Sequence, residues 1–166
     1  MICCSRSGVP ALEASSIEKA SRGAYTVVSV AEPALILIGT GSEVGVCLKA
    51  AATLTAEGIP TKVVSMPCQE VFLEQPVEYQ REVLPGNVPT LSVEASMAHG
   101  WHRFSHAQIS MTGFGASGAG GAVFEHFGFH ADNVVAKGKA VVDFYKGGSV
   151  PDLNNRPVFA NGKSLH

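Results

Sequence analysis

The chain has 166 residues, 46% of them hydrophobic and 16% charged, with a formal net charge of -2. That length suits one domain with a core of its own, and the composition fits an ordinary globular protein. The near-neutral balance gives no electrostatic case for nucleic acid or a membrane surface, and the apolar runs fall far short of a membrane span.

Residues 1–23 are polar and turn-rich and read as a linker with a short helical turn near Ile17. The opening MICCSRSGVP has no charged region ahead of an apolar stretch, so it does not read as a secretory signal. The closing GKSLH is not the Ser-Lys-Leu peroxisomal address, and the expected compartment is the cytoplasm. Tyr25–Val30 reads as a strand broken by Glu32-Pro33. Ala34–Ile38 is wholly apolar, the pattern of a strand covered on both faces.

Gly39, Thr40, Gly41 and Ser42 then form a glycine turn, and Ser42-Glu43 reads as a helix start. Serine there caps free N–H groups, and Glu43 complements the positive end of the helix dipole. Val44, Cys47, Leu48, Ala51 and Leu54 follow at helical spacing and make one apolar face. Gly58 and Pro60 supply the stop.

Thr61–Met66 is a third strand, closed by Pro67, and residues 77–84 read as a short helix. Thr90–Glu94 is a fourth strand, and 98–108 is predicted helical with Trp101 and Phe104 inward. A short strand over 109–111, a glycine-rich turn over 113–121, and helices over 121–127 and 131–146 complete the pattern, with an irregular tail from Gly147. Strands alternating with helices argue a mostly parallel sheet with helices on both faces.

Several residue groups carry candidate chemistry. Gly39, Gly41 and Gly45 spell G-x-G-x-x-x-G after a strand and before a helix. A dinucleotide site also needs an acid at the end of the next strand, where this chain has Ser65, Met66 and Pro67. The Gly-Lys-Ser/Thr of a P-loop is missing as well, so the loop is either a structural turn or an anion site over Gly39–Ser42. His99, His102 and His106 share a face if their segment is helical, and His126 and His130 are four apart, but neither set has a completing ligand at motif distance.

Glu94 ends an apolar strand, where the crevice of an open α/β sheet lies, and reads as a partner-binding carboxylate, a base, a helix cap or the mate of a nearby arginine. The stretch Gly113–Gly121 reads as an anion-binding nest or a loop. The four cysteines, Cys3, Cys4, Cys47 and Cys68, match no zinc spacing and read as free thiols. No G-x-S-x-G elbow is present, and nothing around Cys68 marks it as a nucleophile.

The segments PALEASSIEKASRGAYTVV, LILIGTGSEVG, EGIPTKVVSMP, VLPGNVPTLSVEA, FGASG, FEHFGFHADNV and FYKGG, taken together and in this order, resemble the C-terminal part of the transketolase family. The resemblance implies a three-layer α/β/α fold with a mixed, mostly parallel five-stranded sheet. It divides the chain into 1–23, the end of a middle domain and linker; 24–148, the C-terminal domain; and 149–166, an irregular tail.

It also implies a parent enzyme that moves a two-carbon ketol unit from a ketose phosphate to an aldose phosphate, as a homodimer, with thiamine diphosphate and Mg²⁺ or Ca²⁺. The family places that cofactor in domains outside this stretch, and the Gly-Asp-Gly of its cofactor motif does not occur here. The remaining transketolase domains are therefore the implied partners, and the chain is expected to have a structural, dimer-supporting role and to be inactive alone.

In the family a Ser-Arg pair precedes the linker, and its arginine holds the substrate phosphate; Ser5-Arg6 occupies that place, which makes Arg6 the implied substrate contact. The sequence departs from the family at MICC, near Gly121, where a proline is usual, and at His99 and His102. The alternative reading is a stand-alone anion- or nucleotide-binding module that uses Gly39–Ser42.

Overall fold

The computed structural model describes residues 8–155, 159–160 and 163–164. Cys3, Cys4, Ser5 and Arg6 lie outside the described residues. A five-stranded sheet runs β1 (Tyr25–Val28), β3 (Thr61–Ser65), β2 (Leu35–Gly39), β4 (Thr90–Met97), β5 (Ala107–Met111) in spatial order. β1 pairs antiparallel with β3, and the other pairings are parallel. This is the mixed, mostly parallel sheet that the sequence resemblance implied.

β2 is the central strand, and all five of its residues are buried. Side chains alternate across a strand, so Leu35 and Leu37 enter one core while Ile36 and Ile38 enter the other. The first core is closed by α2 (Glu43–Ala56) and α6 (Ala131–Tyr145), through Cys47, Ala51, Leu54, Val134 and Val135. The second is closed by α3 (Gln69–Leu73), α4 (Val77–Val83) and a 3₁₀ turn at Trp101–Arg103, through Phe72, Val83, Trp101 and Phe104. The remaining helices are α1 (Ile17–Ala20) and α5 (Gly120–His126), and two short strands, β6 (Phe159–Ala160) and β7 (Lys163–Ser164), pair with each other.

α2 stops as predicted. Ile59 N–H donates to Leu54 C=O and Gly58 N–H to Thr55 C=O, the paired bonds of a Schellman cap. Two expectations need correction, and one helix is additional to those predicted. The helix over 98–108 is only a 3₁₀ turn, because β4 runs on to Met97 and Gly100 reverses the chain at φ 87°. Trp101 and Phe104 still point inward, at 6% and 5% exposure. α3 went unpredicted; it is one turn and a half, uncapped by side chains, and is fixed by burial of Phe72. The tail is not wholly irregular, since it contains β6 and β7.

The two ends of the sheet are finished differently. At the amino end, Thr61 and Thr90 open β3 and β4, and each buried hydroxyl donates to the carbonyl two residues back, Ile59 and Val88. His106 N–H donates to Thr90 C=O, and Thr90 N–H donates back to His106 Nδ1 at 3.1 Å. With Nδ1 accepting, His106 Nε2 is left to donate to Pro151 C=O at 2.9 Å. Asn154 Nδ2 donates to Leu84 C=O, which fastens the tail over the same end. At the carboxyl end, Met66 N–H donates to Gly39 C=O, Cys68 N–H to Gly23 C=O and the Tyr79 hydroxyl to Ala24 C=O, which close the β1–β3–β2 side, whereas Glu94 Oε2 on β4 has no partner among the described residues.

Gly23 joins α1 to β1 at φ 82°, and a Cβ there would stand 2.3 Å from Phe72 N and 2.5 Å from Cys68 O, both backbone atoms. Gly23→Ala therefore combines a left-handed strain with a clash that no rotamer relieves. It is expected to cost about 2–4 kcal/mol in urea unfolding, with the slope unchanged.

Candidate functional site at the carboxyl end of the sheet

From β2 the chain winds through α2 to β3 on one side, then through α3 and α4 to β4 on the other. The segments leaving β2 and β4 therefore diverge at their carboxyl ends, the place where open α/β sheets form their crevice. Gly39–Ser42 leaves β2 there, and Glu94 ends the regular pairing of β4.

The glycine loop is built for closeness. A Cβ on Gly39 would lie 2.9 Å from Val44 N, so only glycine lets α2 begin this near the strand, and Gly41 turns at φ 53°. Ser42 does not cap the helix as expected. Its backbone is already helical, and its hydroxyl donates to Glu43 Oε1 at 3.2 Å instead of accepting from an N–H. Glu43 is consequently not a surface acid complementing the dipole but a buried one, 5% exposed. Burial raises its pKa, while its own backbone N–H and the Ser42 hydroxyl hold it down.

Glu94 is the second carboxylate of this edge. β4 and β5 pair regularly through Glu94↔Ser110 and resume at Met97↔Met111, so β4 bulges over the residues between. Bulges re-aim side chains at strand ends. Glu94 Oε2 is buried with no hydrogen-bond partner among the described residues. Burial, and then the charge of Glu43, push this carboxyl up to about 7, so Glu94 takes up a proton well before an ordinary glutamate does. Cys47, one turn into α2, has its thiol pushed up by burial and by Glu43, and it is inert as a nucleophile.

The histidines do not assemble. His99, His102 and His106 share no helix face because the helix is absent. His106 holds the amino end of the sheet, His130 Nδ1 accepts from Asn133 N–H at the start of α6, and His126 packs edge-on against Phe127. Gly113–Ala119 is an exposed loop leading into α5. Sequence reasoning singled out Glu94 but missed its coupling to Glu43, because only the sheet order brings the two ends together. It also missed buried Lys62, whose Nζ donates to Glu82 C=O at 2.6 Å and whose pKa burial lowers against the pull of Glu82. A cleft of about 530 Å³ between β5 and α6 escaped it too; Gln108, Asn133, Lys137, Phe144 and Tyr145 are among its lining.

These features define a doubly wound α/β domain with an acidic carboxyl end. The family described as transketolase-like TK C-terminal domain matches residues 23–130, and the chain belongs to that family. Transketolase 1 of Saccharomyces cerevisiae is 44% identical over 147 residues, which is 89% of this chain and 22% of that protein. The crystal structure of a Pichia stipitis transketolase complexed with sedoheptulose-7-phosphate superposes with a TM-score of 0.88 at 42% identity, covering 93% of this chain and 23% of that one. The Leishmania mexicana transketolase gives 0.80 at 42% identity over 84% of this chain and 21% of its own. The chain thus spans 22% of the length of the yeast relative.

The carboxyl end of this sheet does not fit the diphosphate of a thiamine cofactor. A diphosphate is held by N–H donors and cations, whereas the loop here runs into Glu43 with Glu94 coupled to it.

The sign of the Glu94 titration is testable. Its folded pKa is raised, from 4.5 to about 7, so between those values the folded state holds more protons than the unfolded one. Stability from this group is full below pH 4.5, falls as pH rises through that window, and is lost above pH 7. Discounted for partial exposure, Glu94→Gln is expected to raise stability at pH 8 by about 1–2 kcal/mol, or about 2–4 °C of melting temperature per kcal/mol, with the gain gone by about pH 4.5. Equal gains at both pH values would contradict the assignment.

Proposed function

We propose that this chain serves as the C-terminal domain of a transketolase, the enzyme that moves a two-carbon ketol unit from a ketose phosphate to an aldose phosphate. The observation that supports it is continuity: one match runs through 89% of the chain onto a single stretch of the Saccharomyces cerevisiae transketolase. In this reading, 24–148 is the domain proper, 1–23 is the end of the middle domain with its linker, and 149–166 is the tail.

Thiamine diphosphate, with Mg²⁺ or Ca²⁺, supplies the carbanion chemistry from the other domains. The domain works in the cytoplasm within a homodimer, and its contribution is to support the domains that hold the reacting groups. The test is to graft the 166-residue chain in place of the matching stretch of the yeast enzyme. The chimaera is expected to keep ketol transfer within about tenfold of the parent, a loss of at most ~1.4 kcal/mol of transition-state stabilisation. A folded chimaera with no transfer would contradict the reading.

Arg6 is the residue through which this chain touches substrate. Its guanidinium donates two hydrogen bonds to the substrate phosphate, a role that rests on the Ser5-Arg6 pair standing just ahead of the linker. In the chimaera, Arg6→Ala is expected to raise KM for phosphorylated substrates about 10- to 100-fold, from charge-assisted bonds worth about 1.5–3 kcal/mol. An unchanged KM would remove Arg6 from the site.

A further inference from the structure

α6 presents two working faces. Val134, Val135 and Gly138 are buried, and a Cβ on Gly138 would stand 2.9 Å from a Leu35 side-chain carbon, so this face lies tight on the first core. Asn133, Lys137, Ala140, Val141, Phe144 and Tyr145 recur at the three- and four-residue spacing of a second face, and all six line the cleft of about 530 Å³ beside β5. β5 is the outermost strand and pairs only with β4, so one edge of its backbone has no strand partner among the described residues. The cleft has the volume of a small-molecule site, roughly 300–1,000 Å³.

The cleft face of α6 is graded along its length. Its last turn is aromatic: Phe144 is 80% exposed, its ring lies edge-on to Tyr145 at 5.0 Å, and Tyr145 lies edge-on to His106 at 5.3 Å. Its first two turns are polar. Asn133 Nδ2 is already given to Gly128 C=O, which leaves Lys137 as the free donor there. The Lys137 ammonium is exposed and has no hydrogen bond or ion pair among the described residues, whereas Lys139 is paired with Glu57. No aspartate or glutamate is among the described lining of the cleft. Seven positions separate Lys137 from Phe144, about 10 Å along a helix axis.

We propose that this cleft binds a small aromatic acid, with its ring against Phe144 and Tyr145 and its carboxylate toward Lys137. The chemistry of the lining selects that class. A ring gains the offset and edge contacts that the aromatic turn offers, which an aliphatic acid forgoes. A carboxylate answers the unpaired ammonium, which a neutral ring leaves alone and an aromatic cation meets with repulsion. A polyphosphate calls for several cations, and the lining holds one lysine. The separation of ring and charge fits an acid carried on a spacer of a few carbons. The groups that select lie on α6 and not along β5, which favours a small ligand over an added peptide strand. The site uses only residues of this chain and goes beyond the transketolase reading, which stands or falls separately.

The probe is phenylbutyrate, with phenylbutanol as its uncharged counterpart, titrated into the 166-residue chain and read by amide chemical shifts in heteronuclear NMR. Saturable shifts are expected along β5 and on the cleft face of α6, with a Kd of about 0.1–1 mM for the acid and about tenfold weaker binding of the alcohol. Lys137→Gln is expected to weaken the acid about tenfold and to leave the alcohol unchanged, so that the two bind alike. Its melting temperature is expected to match the native chain, because Lys137 is exposed and unpaired. Ala140→Phe, which fills the cleft from an exposed helix position, is expected to abolish binding of both.

Equal binding of acid and alcohol by the native chain overturns the proposal. So do shifts that rise without saturating up to about 10 mM, the mark of nonspecific contact. Shifts of the cleft residues that grow with chain concentration before any probe is added assign the face to a second copy, and they overturn it as well. If Ala140→Phe fails to fold, Phe144→Ala takes its place, since an exposed ring is removed without touching a core. It is expected to weaken the acid about fivefold at an unchanged melting temperature, and an unchanged affinity overturns the assignment of the ring.

Discussion

Burial of β2 on both faces is the constraint from which the rest of this structure follows. Five residues, Leu35–Gly39, sit at the centre of the sheet, all of them buried. A strand of that kind is stable only between two helical layers, so α2 and α6 must cover one side and α3, α4 and the Trp101–Arg103 turn the other. Gly39 then decides how sharply the chain leaves the strand. With no side chain, it lets Val44 approach to the limit of contact, and α2 starts at once. That early start draws Glu43 into the protein, where its partner across the strand order is Glu94.

The acid pair is a cost that the fold carries. Each carboxyl is raised by desolvation, and the two repel as both ionise, so the end of the sheet is least comfortable at neutral pH and above. The field reaches the first core, where Cys47, one turn along α2, has its thiol pushed up by burial and then by the charge of Glu43. Two intact cores supply the stability against which the acid pair is tolerated, and Glu94 sits where β4 leaves regular pairing.

Much of this is legible in the sequence, for a physical reason in each case. The wholly apolar run at Leu35–Ile38 announces two-sided burial, and the spacing of Val44, Cys47, Ala51 and Leu54 announces the face of α2. Trp101 and Phe104 are inward as their residue types suggest, even though their helix is absent, because burial follows the side chain and not the element. The failures are equally instructive. The periodicity of 98–108 gives way to Gly100 and to the pairing of His106 with Thr90, a tertiary contact that no local pattern contains. Ser42 has the right residue type and position for a cap, yet a buried carboxylate at the next position claims its hydroxyl. The coupling of Glu43 with Glu94 depends on strand order, and 51 positions of chain hide it. Motif reasoning on the glycine loop asks only whether an acid ends the next strand in sequence, β3. The acid that matters ends the regular pairing of β4, the neighbour in space on the other side.

The two ends of the sheet therefore answer different demands. At the amino end, the opening residues of β3 and β4 are answered from within: Thr61 by Ile59, Thr90 by Val88 and His106, and His106 in turn by Pro151 from the tail. At the carboxyl end, a buried oxygen of Glu94 has no answer within the described residues, and the loop above it holds a phenylalanine in water. Folding alone selects against both features, since each is cheaply removed by a single substitution that leaves the cores untouched. Glu94 stands beside the switch point between β2 and β4, whereas the Phe114 loop follows the edge strand β5. The glycine loop that invites a phosphate-binding reading is the device that makes this end acidic, by bringing α2, and Glu43 with it, against the sheet.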